Sequence, residues 1–236
     1  MNLNLFDRII YTFTQPYRVF SEFPEEIKPR DWLIPLAIVL LTSILAVWVT
    51  GSIWQRWYEE QQSELALSYP ELNSEEVGEI DSTLQIFTDP QSRILWTTVA
   101  ALLWFVILAG ILLFMGSMLL DCEPTFLETW TIVIYAGLVY IPEYLIVTPI
   151  VLFTGQVSVE TGLSLLLPDG MSDSFFYYFM RFIEPFTVWR IFLMSLGMTL
   201  FYELDFRRTM MIIYGSWLII ILCASLLFTN SGTGTF

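Results

Sequence analysis

The chain is divided into apolar blocks, each about as long as a bilayer is thick. Crossing the hydrocarbon core takes roughly 20 apolar residues in a helix. Blocks of that order occupy about 32–53, 94–120, 126–153, 176–202 and 210–228. Hydrophobic residues make up 56% of the chain and charged residues only 14%. A soluble domain carries about 25% charged residues, so this surface is too poor in charge for water. The expected fold is all-α: a polytopic membrane protein with a bundle of five transmembrane helices. The first apolar block begins near Trp32 and is too long for the core of a signal peptide, so it reads as a retained span.

Composition also removes whole classes of chemistry. The net charge is −14, with only ten Lys and Arg. A phosphate-binding face needs those residues clustered, so no nucleic-acid partner is expected. There is no histidine, which excludes Ser-His and Cys-His catalysis, histidine metal sites and HExxH zinc hydrolysis. Phosphate-loop, dinucleotide and nucleophile-elbow motifs are missing as well. No catalytic, cofactor-binding or metal-binding residue is assigned, and no cofactor is expected. Cys122 sits at a membrane boundary and Cys223 inside the last apolar block. At different depths they do not suit a disulfide.

Residues 1–31 form an N-terminal segment ahead of the membrane domain at 32–236. On a helical wheel Leu3, Phe6, Ile9, Ile10, Phe13, Tyr17 and Phe20 share one face, and Arg8 and Arg18 lie opposite. This pattern suits a helix lying in the membrane interface. It equally suits a helix packed on the protein's own membrane domain. Pro16 should divide it. Between the first two spans, 54–93 is an acidic insert with nine acids and two arginines. Its stretch NSEEVGEIDSTLQIF has helical spacing. Small pairs, Ala109-Gly110 and Gly116-Ser117, permit close helix approach in the second span. Five spans put the termini on opposite sides. Arg8, Arg18, Lys28, Arg30, Arg207 and Arg208 fall on one side, against Arg56, Arg93 and Arg181 on the other. The positive-inside rule then puts the N-terminus in the cytoplasm and the insert and C-terminus outside, at the plasma or inner membrane if the chain is prokaryotic.

Three ionisable residues of the expected spans are candidates for an intramembrane network: Glu143, Glu184 and Arg190. Such residues usually face the bundle interior and pair. Counted inward from the outer ends of their spans, Glu143 and Arg190 reach similar depth at about 1.5 Å per residue. They are expected to form an ion pair within a charge network that Glu184 joins from nearer the interface. Pro142, Pro149 and Pro185 should kink the same spans. In DCEPTFLE, Asp121, Glu123 and Glu128 are three carboxylates of the kind that hold a hard cation, but their spacing matches no known loop motif.

The stretches TFLETWTIVIYAGLVYIPEYLIVTPI and FIEPFTVWRIFLMSLGMTLFYELDFRRTMMIIYGSWLIIIL, with QPYRVFSEF near the start, resemble the Yip domain family of Ypt/Rab-GTPase-interacting membrane proteins, especially its prokaryotic members. The resemblance implies five spans and a cytoplasmic N-terminus, and it carries over no catalytic residue. It also implies trafficking roles for eukaryotic relatives and, for some prokaryotic ones, accessory roles in ABC-type export complexes. The first functional reading is therefore a non-enzymatic membrane adaptor or accessory subunit. Its partners would be membrane lipids and another integral membrane protein or complex, and a homo-oligomer is compatible. Two alternatives stay open: a small transporter or channel component with a polar path at Glu143, Glu184 and Arg190, and a membrane-shaping or trafficking factor.

Overall fold

Proline and N-capping residues set the starts of most helices in this chain. The computed structural model describes residues 3–24, 26–68, 89–157, 159–168 and 174–231, with the main chain only at 62–68 and 230–231. The helical stretch expected within NSEEVGEIDSTLQIF lies outside the described residues. Among the described residues there is helix and no strand.

Helix α1 (Leu5–Thr14) is capped by Asn4, whose side chain accepts from the Asp7 amide at 2.8 Å. Pro16, lacking an N–H, ends that run and opens α2 (Pro16–Ser21). Helix α3 (Pro29–Val49) is followed after one residue by α4 (Gly51–Ser68), so helix continues well into the polar insert. Helix α5 (Pro90–Leu119) leads to a turn and then α6 (Phe126–Gly137), which begins in a capping box between Thr125 and Glu128. Helix α7 (Tyr140–Thr154) follows. A 3-10 turn (Leu163–Leu166) precedes α8 (Phe175–Arg181), α9 (Pro185–Phe201) and α10 (Phe206–Ser231).

Among the described residues, four helical stretches are long and apolar enough to cross a membrane: Pro29–Val49, Pro90–Leu119, Phe126–Thr154 and Phe206–Thr229. Pro185–Phe201 is apolar but shorter, 17 residues, or about 25 Å at 1.5 Å per residue. The stretch expected as one span over 176–202 is thus two helices. The chain leaves helix after Arg181, and Pro185 restarts it at the first position of α9. The block 126–154 is also interrupted. Pro142 offers no N–H to the Leu138 carbonyl, and Leu138 and Val139 tighten onto Tyr135 and Ala136 at 3.2 Å each.

The molecule divides into two compact units. The first comprises Met1–Leu36, Phe105–Val139 and Glu160–Phe236. At its centre α6 is buried continuously from Thr129 to Gly137. Between apolar helices in lipid there is no hydrophobic drive, so close packing and small residues carry the association. A Cβ on Gly197 of α9 would stand 2.6 Å from Ile132 of α6, and one on Gly137 would stand 2.5 Å from Phe105. Hydroxyls inside this core are satisfied by their own helix: Thr131 donates to the Leu127 carbonyl at 2.7 Å and Ser195 to Ile191 at 2.8 Å. Phe20 of α2 stands edge-on to Tyr135 and Phe201. Tyr178 of α8 stacks on Phe228 near the end of α10 at 5.9 Å.

The second unit comprises Ala37–Trp104 and Tyr140–Val159. Its organising residue is Arg93, buried in the first turn of α5. Its guanidinium donates to the Val47 carbonyl at 3.0 Å and to Gly51 at 3.4 Å, filling the place a side chain at Gly51 would take. A cation at the last turn of α3, where Val47 lies, is favourably placed against the helix dipole.

Candidate membrane-contact and polar sites

The N-terminal helix meets its own unit through its polar side. Arg8 is only 6% exposed and Thr12 is fully buried, whereas Phe6 is 70% and Tyr17 62% exposed, with Ile10 exposed as well. Ile9 and Phe13 are half-buried. The reason lies at the start of α3. Asp31 sits in the first turn, and one carboxylate oxygen accepts from the Lys28 amide at 2.9 Å. The other pairs with Arg8 at 3.1 Å, both side chains being 7% exposed. The Arg8 guanidinium stands 4.8 Å from the centre of the Phe23 ring, and Phe23 stands edge-on to Tyr135. Among the described residues, Arg8 Nε and the Tyr135 hydroxyl have no hydrogen-bond partner, though both are buried there. Arg18, the other cation on this polar side, is exposed instead, pairing with Glu22 at 3.0 Å and standing 5.3 Å from the Tyr11 ring.

A second polar cluster runs from α8 into α9. Glu184 immediately precedes α9, and its side chain accepts from Thr161 at 3.0 Å and from Thr187 at 3.1 Å. Thr187 in turn accepts from Arg190 at 2.7 Å. Glu184 and Arg190 are six residues apart and do not face each other on a helix, yet Thr187 links them. Beside them Glu160 accepts from the hydroxyls of Tyr177 and, at 3.0 Å, Ser164, and lies 3.8 Å from the Arg181 guanidinium. Glu143 is in the first turn of α7, in the second unit.

The carboxylates of DCEPTFLE are used differently. Glu128 closes the capping box of α6 and accepts from the Tyr202 hydroxyl at 3.0 Å. Asp121 pairs at 2.8 Å with Arg208, which also donates to the Leu119 carbonyl at 3.1 Å. These contacts fasten the α5–α6 turn to the ends of α9 and α10. Among the described residues no three acids or cysteines are grouped to hold a metal. Cys122 and Cys223 are both free thiols. Cys122 donates to the Gly116 carbonyl at 3.4 Å, and burial pushes its thiol pKa up.

Asp31, Arg93 and Glu160 are the residues the apolar pattern did not single out. Asp31 carried a signal: an acid two residues after a helix-opening proline commonly faces the helix N-terminus.

Taken together, the long apolar helices and the polar clusters at their ends define a polytopic helical membrane protein. The model of the Yip1 domain matches residues 10–227. The chain belongs to the Yip1 family, whose members are membrane-interacting proteins without catalysis as their role. Comparisons with curated proteins and with solved structures gave no match.

Proposed function

We propose that this protein is a non-enzymatic membrane adaptor, an accessory subunit that binds another integral membrane protein. The observation that carries the reading is the way α1 is mounted. Its buried arginine pairs with Asp31, and Phe6 and Ile10, with Tyr17 of α2 beyond them, are turned outward. A helix fixed in this way serves contact with lipid or with a neighbouring membrane protein, and it offers no chemistry. Phe6, Ile9, Phe13 and Tyr17 would lie in the interface, with Arg18 at its aqueous edge. An ABC-type export complex is the partner class suggested by the resemblance to prokaryotic relatives. Purification of the native complex in nanodiscs should recover one membrane partner in fixed ratio. Recovery of the protein alone, from cells at native expression level, sinks the proposal.

The same reading includes an orientation and an ion pair. The N-terminus is cytoplasmic, so a cysteine replacing Glu71 should label from outside intact cells. Glu143 and Arg190 form a pair that sets the bundle geometry. Charge reversal at either residue should then destabilise the protein, and reversal at both should restore it.

A further inference from the structure

The geometry points to a second lipid contact, on the opposite side of the membrane from α1: the 3-10 turn Leu163–Leu166 inserts its leucines into the leaflet on that side. This site is separate from α1 and does not depend on which partner the adaptor holds.

Residues 161–168, TGLSLLLP, contain no charge. Leu165 and Leu166 are 65% and 80% exposed, and Leu163 is exposed too. Their base, in contrast, is fixed. Ser164 is buried and donates to Glu160. The Leu163 amide donates to the Ile183 carbonyl at 3.1 Å. Gly162 is pressed so closely on Arg181 that a Cβ there would stand 2.2 Å from its carbonyl oxygen. Thr161 donates to Glu184. Every polar side chain of the turn therefore points into the protein, and only leucine points out.

The level of the turn follows from what holds it. Arg181 ends α8, and Tyr178 and Phe182 of that segment meet the Phe228 ring near the far end of α10. Helix α10 is long enough to cross the bilayer, and its final turns expose Leu226, Leu227 and Phe228. The turn thus continues the exposed apolar surface of α10 at the C-terminal end of that helix. Helix α1 belongs to the other end. Phe20 and Phe23, which follow it, meet Phe201, and α10 starts five residues later. Exposed leucines at interface depth, with no charge among them, are matched by acyl chains.

The test uses the full chain with Cys122→Ser and Cys223→Ala, in vesicles of phosphatidylcholine and phosphatidylglycerol. A nitroxide is placed at Leu166→Cys. Its collision rates with oxygen, which concentrates in lipid, and with a water-soluble nickel chelate are compared. Leu227→Cys serves as the lipid standard and Arg207→Cys as the water standard. The proposal expects oxygen to exceed the chelate several-fold at Leu166, as at Leu227. Leu165→Cys repeats the measurement, since both side chains point outward and leave no cavity. A chelate rate like that at Arg207 puts the turn in water. Protection from both probes puts it under protein. Either result overturns the proposal.

Discussion

Helices α6 and α10 are both strongly apolar, yet they live in different surroundings. In α6 nine consecutive residues, Thr129–Gly137, are buried. In α10 burial follows one stripe: Thr209, Ile213, Ile221 and Ser225, while Ile219 and Leu227 are exposed. Hydropathy reports preference for leaving water. It does not say whether the destination is lipid or protein. What separates the two helices is close approach at α6, through Gly137 and the facing Gly197, which α10 lacks at Gly215. In a bilayer the interior of the protein is defined by who can come close.

The largest effect should come from the charged end of that interior. Arg8 and Asp31 are buried together beside the Phe23–Tyr135 pair. Asp31→Leu leaves the guanidinium without its carboxylate, which should cost about 3–5 kcal/mol. Thermal unfolding in detergent, followed by tryptophan fluorescence, measures it. Arg8→Leu with Asp31→Leu should recover much of the loss, because no lone charge remains. A double variant no better than the singles would mean that the ion pair is a net source of stability.

The next effect tests the comparison directly. Gly197→Leu drives a side chain into Ile132, and overpacking of this kind costs about 1–3 kcal/mol. A Cβ added at Gly215 meets nothing within 4 Å, so Gly215→Leu should leave the melting temperature close to that of the parent. Equal losses at the two sites would remove the distinction between the helices. Tyr202→Phe comes third. It removes one hydrogen bond to Glu128 at about 1 kcal/mol, and it should loosen the α5–α6 turn, read as faster hydrogen exchange at 120–125.

Much of this was legible in the sequence, for reasons that differ by element. The all-α membrane class followed from the apolar blocks, and the division at Pro16 followed from a missing N–H. The split of 176–202 was written in Glu184-Pro185, where proline opens a helix more readily than it continues one, but the apolar run hid it. A wheel projection sets Phe6 and Ile10 apart from Arg8, but a wheel has no inside. Phe6 turns outward because Asp31, 23 residues away in sequence, accepts Arg8. The link from Glu184 to Arg190 was hidden for a similar reason: it passes through Thr187, an uncharged residue that pattern reading treats as filler. Contacts of this sort depend on distant partners, and no local period records them.

The smallest predicted effect is also the sharpest on what surrounds α10. Ile219 is 63% exposed on a helix long enough to cross the membrane. If lipid covers it, Ile219→Ala exchanges acyl-chain contact for acyl-chain contact, leaves no cavity, and should shift stability by less than about 0.5 kcal/mol. If a second copy or a partner subunit covers that face, the same substitution leaves a void between proteins that lipid does not refill. The cost then rises toward the ~2–5 kcal/mol of a large-to-small change in a packed core, and it should depend on protein concentration, as any association does. Unfolding of Ile219→Ala in nanodiscs at two protein-to-lipid ratios separates the cases. A small shift at both ratios assigns the outer face of α10 to lipid.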